Sequence, residues 1–106
     1  MRITGNGSGV SVSGEFWNGK SIPLIFNASR IDTGHYKVSF DSDVLPSGYK
    51  IIASGFGTAL NEGTPIKATI MAIESTYFEI YTSDDASRND GSCDLVIFSP
   101  NWSYVQ

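Results

Sequence analysis

Apolar and polar residues alternate along much of the chain with the two-residue period of a β-strand. The clearest case is the segment 35–40, where Tyr36, Val38 and Phe40 fall on one face and His35, Lys37 and Ser39 on the other. We expect the first set to point into a core and the second to face solvent. The same reasoning predicts strands over residues 10–16, 21–26, 35–40, 49–54, 66–73, 77–82 and 94–98.

Three local features refine this strand prediction. Pro23 cannot donate to a ladder, which makes segment 21–26 an edge strand or the site of a bulge. Segment 49–54 carries apolar residues on both faces, so it is predicted to be a more central strand. Asp32-Thr33-Gly34 has the side-chain and dihedral properties of a turn.

Composition points the same way. Strand-favouring Val, Ile, Thr, Phe, Tyr and Trp total 37 of the 106 residues, against 24 for Ala, Leu, Met, Glu, Lys, Arg and Gln. No segment sustains a 3.6-residue period. The predicted fold is therefore all-β, an antiparallel β-sandwich of about seven to eight strands.

The length suits one domain. Residues 1–9 contain three glycines and few apolar side chains, which predicts a flexible leader or the end of a longer stalk. Residues 10–106 form the predicted sandwich domain.

Charge and cysteine content limit the function classes. Seven Lys or Arg against eleven Asp or Glu give a net charge of −4, which argues against a duplex nucleic-acid binder. No apolar run is long enough to cross a membrane, so membrane insertion is not expected. Cys93, the single cysteine, cannot form an internal disulfide and is predicted to be a small buried hydrophobe.

Candidate catalytic and metal-binding patterns all have simpler interpretations. Asp32-Thr33-Gly34 has the letters of an aspartic-protease motif, but a polar segment precedes it, and a hairpin turn explains it better. The acidic loop 84–94 lacks the spacing of a calcium loop and is expected to be a solvated turn. His35 is expected to be an exposed strand residue. The sequence predicts no enzyme, metal or cofactor.

Aromatic residues are the remaining candidates for ligand contact. Trp17, Phe56, Trp102 and Tyr104 lie at predicted strand ends or in loops beside Asn, Asp and Ser. Such rings stack on the C–H faces of sugars, while neighbouring polar groups bind hydroxyls. Each of the four also fits a place in the core or in a subunit interface.

The span from Asn27 to Phe98 resembles a β-sandwich domain of bacteriophage tail fibres. The resemblance rests on a Thr-Gly-x-Tyr-x-Val-x-Phe strand at 33–40, a Leu-Pro turn leading to a Tyr-plus-aliphatic strand at 45–52, and late strands at 78–82 and 95–98. It implies a homotrimer exposed on the virion at or near a fibre tip and joined to other fibre segments, and the composition of residues 1–9 is compatible with the end of the fibre stalk. The implied function is adsorption to a bacterial surface glycan or outer-surface protein.

Two alternatives stay open. A structural virion module, such as a collar, connector or decoration protein, would use the same sandwich only for assembly. A carbohydrate-binding module of a bacterial enzyme or adhesin would bind a soluble polysaccharide through the same aromatic residues.

Overall fold

The computed structural model describes residues 1–5, 10–14, 25–57, 65–84 and 87–98 and places eight antiparallel strands among them. These strands are β1 (Arg2–Gly5), β2 (Val10–Ser13), β3 (Asn27–Asp32), β4 (His35–Ser39), β5 (Lys50–Phe56), β6 (Lys67–Ile73), β7 (Tyr77–Ser83) and β8 (Ser92–Phe98). The first sheet has the order β2-β1-β8-β5, and the second has the order β3-β4-β7-β6. The all-β antiparallel sandwich predicted from the sequence is confirmed.

The core combines the inward residues of both sheets with buried side chains from the segments between strands, namely Phe26, Phe40, Leu45 and Tyr49. Val38, Phe78 and Ile80 of the second sheet are fully buried, as are Ile3 and Cys93 of the first. Tyr36 and Phe40 are also buried, so the predicted inward face of segment 35–40 is confirmed. Strong alternation was informative here because β4 is a central strand with one face on the core.

The predicted flexible leader is wrong for its first residues. Arg2–Gly5 forms β1, which lies between β2 and β8, and Ile3 contributes a buried side chain. The amino group of Met1 donates to the Leu95 carbonyl at 3.0 Å, and the Leu95 amide donates to the Met1 carbonyl at 2.7 Å. Backbone hydrogen bonds to β2 and β8 hold β1 in the sheet, although β1 contributes few apolar side chains. Residues 6–9 lie outside the described residues.

Two other strand predictions need correction. Segment 49–54, predicted to be central, belongs to β5 at the edge of the first sheet, and its second apolar face is solvent-exposed, with Ile52 60% accessible. Of predicted strand 21–26, Ile25 and Phe26 are not in a strand, and residues 21–24 lie outside the described part of the chain. The strand at this point is β3, whose polar sequence gave no alternation to detect because it is an edge strand.

Both edge strands of the second sheet carry a bulge. The register between β3 and β4 shifts at Ile31, and the register between β6 and β7 shifts at Met71. Each of these residues is about half exposed. Bulges twist an edge strand away from a flat geometry and so discourage pairing with the edge of another sheet. The predicted turn at 32–34 joins β3 to β4, with Gly34 at a φ of 63°.

Candidate functional site

The loop after β7 is held together by its own acidic residues. The sequence predicts a solvated turn, but Asp84 and Asp90 are only 6% and 5% exposed, so that prediction is wrong for both. The Asp90 carboxylate accepts hydrogen bonds from Arg30 Nε at 3.1 Å and Nη2 at 2.9 Å, from the Gly34 amide at 2.9 Å and from the Tyr36 hydroxyl at 2.7 Å. A buried carboxylate with this many donors is fully satisfied.

Asp84 organises the other end of the same loop. Its carboxylate accepts a hydrogen bond from the Ser87 amide at 2.9 Å and one from the Asn89 side-chain amide at 3.2 Å. Thr82 Oγ1 donates to the Asn89 carbonyl at 2.7 Å, and the Asn89 amide donates to the Thr82 carbonyl at 3.2 Å. These bonds fix the backbone on both sides of Arg88. Within the described residues, no group of three His, Cys, Asp or Glu side chains could hold a metal ion.

The fixed loop places Arg88 over the outer face of the second sheet. The Arg88 guanidinium lies 3.9 Å from the centre of the Tyr81 ring, and Lys37 Nζ lies 4.3 Å from the centre of the Tyr77 ring. Between them, His35 Nε2 and Glu79 Oε1 are 2.5 Å apart. We call this surface the aromatic–cationic face; its members are Lys37 and His35 of β4, Tyr77, Glu79 and Tyr81 of β7, and Arg88.

Strand register explains this arrangement. In the β4–β7 ladder, His35 is directly opposite Tyr81, and Lys37 is opposite Glu79. Each β4 side chain leans to the diagonal neighbour, so that His35 bonds to Glu79 and Lys37 covers Tyr77. Diagonal neighbours across a twisted ladder are within reach of long and aromatic side chains. Three successive outward residues of β7, namely Tyr77, Glu79 and Tyr81, are therefore each in contact with a cationic or imidazole group.

The aromatic–cationic face presents positively charged hydrogen-bond donors. Among the described residues, neither Lys37 nor Arg88 forms an ion pair with a carboxylate, whereas Glu79 already binds His35. Cation–π contact orients the two cations without neutralising them. The arrangement can donate hydrogen bonds to hydroxyl or anionic groups of a ligand lying across the sheet. It provides no nucleophile paired with a general base.

His35 is less exposed than the sequence predicts. It points to the outer face as expected, but its side chain is only 15% accessible because Glu79 bonds to it and the Tyr81 ring packs edge-on at 4.6 Å. Cys93 is buried as predicted, and burial raises the pKa of its thiol to about 12.

Of the four aromatic residues predicted to contact ligand, the structure locates one. Phe56 lies at the end of β5 and is exposed on the first sheet, with the Arg2 guanidinium 3.5 Å from its ring centre. Arg2 is held there by Asp94, at 2.7 Å from Nε and 3.1 Å from Nη2. The other predicted contacts, Trp17, Trp102 and Tyr104, lie outside the described residues.

Sequence reasoning missed the aromatic–cationic face. Tyr77 and Tyr81 are four positions apart in a correctly predicted strand, which puts both on one side. Since Phe78 and Ile80 occupy the other side, this spacing marks two tyrosines that the core does not use. Arg88 gave no such signal, because its position depends on bonds made by the loop.

The comparisons identify no relative. The chain matches no protein-family model, no curated protein and no solved structure. In the part of the chain that the structure describes, no helix is long and apolar enough to span a membrane.

Proposed function

We propose that this chain is a non-enzymatic receptor-binding domain at or near the tip of a phage tail fibre, exposed on the virion, where it attaches the particle to a glycan of the bacterial surface. The observation that carries the proposal is the aromatic–cationic face. Two tyrosines, two cations and a His–Glu pair are assembled on a rigid sheet, although the core requires none of them.

The physical support is preorganisation. A ligand must immobilise each flexible side chain that it uses, at a cost of about 0.5–1.5 kcal/mol per side chain. Lys37 and Arg88 already rest on tyrosine rings, and the loop bearing Arg88 is fixed by Asp84. Their donors are thus oriented before a sugar arrives. Polar groups fixed around aromatic rings are the usual composition of a glycan-binding surface.

A second observation favours assembly with other copies. Ile52 of β5 and Val96 of β8 are cross-strand partners on the outer face of the first sheet, and each is 60% exposed. Further copies of this chain in a homotrimer would remove that apolar pair from water. The same exposed pair also fits a second candidate function, that of a structural virion module that joins other fibre segments without contacting a cell.

Cell binding separates the two functions. The fluorescently labelled chain is incubated with a panel of bacterial strains, before and after periodate oxidation of their surface glycans. We expect saturable binding that periodate removes and that the double variant Tyr77→Ala/Tyr81→Ala lacks. Lys50→Ala, an exposed residue of the opposite sheet outside the Ile52–Val96 pair, is the matched control and should bind normally.

Three results would reject the proposal: no binding to any strain, binding that resists periodate but is abolished by protease treatment of the cells, or full binding by the double variant. Light scattering of the wild type and of Ile52→Ala tests assembly. A trimeric mass for the wild type and a lower mass for Ile52→Ala support the role of the Ile52–Val96 pair, whereas a monomeric wild type contradicts it.

A further inference from the structure

We infer that the aromatic–cationic face selects a carboxylate-bearing polysaccharide, one built of uronic-acid units, over a neutral glycan. This inference rests on the proposed function and names the ligand class of the same surface. It follows from which charges on the face are already satisfied within the protein and which are directed outward.

The charge balance of the face is opposite to that of the whole chain. The protein carries a net charge of −4, yet its two cations nearest the centre of this face, Lys37 and Arg88, have no carboxylate partner among the described residues. The one carboxylate between them, Glu79, is engaged by His35. At the margins lie Asp32, whose carboxylate accepts a bond from the Thr33 amide, and Lys67. A ligand lying on this face meets mainly positive donors.

The described carboxylates of the acidic loop do not cancel that charge. Asp84 and Asp90 are the loop carboxylates closest in sequence to Arg88 among the described residues, and both are buried. Asp90 is paired with Arg30, and Asp84 accepts bonds from two loop amides. Their charge is directed into the protein and is used to hold Arg88 in place.

The spacing of the cations fits a linear polymer. Tyr77 and Tyr81 are four residues apart in β7, or about 13 Å along the strand, and each ring carries one cation. This separation exceeds the width of one sugar ring, so the two cations would contact different units of a chain lying along the sheet. A guanidinium stacked on a ring keeps its N–H edge open for a bidentate bond to a carboxylate.

The test compares the charged and the esterified form of one polymer, together with an unrelated polyanion. Isothermal titration of the full chain is performed with polygalacturonate, with its methyl-esterified form and with dextran sulfate. We expect the ester to bind at least about tenfold more weakly than the acid, since one lost charge-assisted hydrogen bond accounts for that factor. Added salt should weaken binding of the acid, because exposed charges are screened.

The variants assign the effect to this face. Arg88→Gln and Lys37→Gln should each reduce affinity for polygalacturonate about tenfold, with unchanged thermal melting. Arg88→Lys should keep part of the affinity, because it retains the charge but not the bidentate fork. Lys50→Gln removes an exposed cation from the first sheet and is the matched control, expected to bind as the wild type does.

The outcomes distinguish this inference from the proposed function. If the wild type binds cells through glycans but binds the ester as tightly as the acid, the charge selection is wrong and the receptor-binding proposal stands. If neither cells nor polysaccharides bind, both fail. If Lys50→Gln weakens binding as much as Arg88→Gln, or dextran sulfate binds as tightly as polygalacturonate, the attraction is a nonspecific polyanion effect and the inference is overturned.

Discussion

Replacing Asp90 by asparagine should destabilise the protein far more than the same change at Asp94. Both carboxylates receive a two-point contact from an arginine, Arg30 in one case and Arg2 in the other. They differ in burial: the side chain of Asp90 is 7% exposed and that of Asp94 is 47% exposed. The pair of variants therefore measures what burial adds to an otherwise similar interaction.

The size of the effect follows from the donors left behind. Oδ1 accepts from Arg30 Nε, the Gly34 amide and the Tyr36 hydroxyl, whereas Oδ2 accepts from Arg30 Nη2. Whichever oxygen the asparagine amide replaces, the amide would face at least one Arg30 donor, and the negative charge opposite Arg30 would be lost. Removing one partner of a buried ion pair costs about 3–5 kcal/mol. The Arg30 side chain is 25% exposed, so water relieves part of this, and we expect about 3 kcal/mol. Surface ion pairs contribute little, so Asp94→Asn should change stability only slightly.

Urea unfolding, monitored by far-UV circular dichroism, provides the measurement. With a slope of about 1–3 kcal/mol per molar urea, the Asp90→Asn midpoint should fall by about 1–3 M. Equal midpoint shifts for the two variants, or no shift for Asp90→Asn, would refute the reasoning, because the burial of Asp90 would then contribute nothing.

The pH dependence gives an independent check on the same carboxylate. Burial by itself would raise the pKa of Asp90, but hydrogen bonds from Arg30, Gly34 and Tyr36 outweigh it and hold the pKa below the ordinary 3.8. A carboxyl whose pKa is lower in the folded state stabilises the protein above its unfolded pKa, and this contribution disappears as the pH falls through the folded value. The stability difference between wild type and Asp90→Asn should thus shrink as the pH drops below about 4. A difference that stays constant down to about pH 2 would contradict this assignment.

Three further predictions concern the core. Cys93 is buried, and burial raises the pKa of its thiol to about 12. A thiol reagent at neutral pH should therefore label Cys93 only at the rate of unfolding. Rapid labelling of the native protein would show instead that Cys93 is accessible. A Cβ on Gly55 would clash with the Ile66 carbonyl, while a Cβ on Gly48 would meet no atom within 4 Å. Gly55→Ala should therefore lower the melting temperature much more than Gly48→Ala does, despite the positive φ of Gly48. Equal losses would contradict the close approach of β5 to Ile66. Burial, followed by the bond to Asp90, raises the pKa of Tyr36 from 10.0 to about 12, so its contribution to stability is complete below the lower value and is lost as the pH rises toward the higher one. Tyr36→Phe should reduce the alkaline loss of stability without abolishing it, because burial also raises the pKa of Tyr49 and of Cys93 to about 12; an unchanged loss would assign it to those groups alone.

The sequence was most informative where a strand has one face on the core. Alternation located both β4 and β7, and in β4 it also identified the buried residues, because only one register puts Tyr36 and Val38 inside. It failed at β1 and β3, which supply mainly backbone hydrogen bonds and few apolar side chains. It also misjudged β5, since an apolar residue such as Ile52 can lie on an exposed face that no local pattern distinguishes from a core face.

The loop after β7 could not be predicted from local sequence for a different reason. Its aspartates have the composition of a solvated turn, yet Asp90 is bonded to Arg30 and Tyr36, which are 60 and 54 residues away. Whether a carboxylate is exposed or buried here depends on partners brought by the fold, and propensity carries no information about them. The position of Arg88 is hidden for the same reason, because it depends on how that loop is fixed.

The hydrogen bonds that fix the acidic loop also position Arg88 in the aromatic–cationic face. Asp90 fastens the loop to the second sheet through Arg30 of β3 and Tyr36 of β4, and Asp84 closes the turn that carries Arg88. Both of these negative charges are directed at internal donors, and among the described residues at the centre of the face the cations without a carboxylate partner are Arg88 and Lys37. Net charge is therefore an incomplete guide to what this surface attracts, because the local field at a surface is set by the charges that remain solvent-facing and unpaired there.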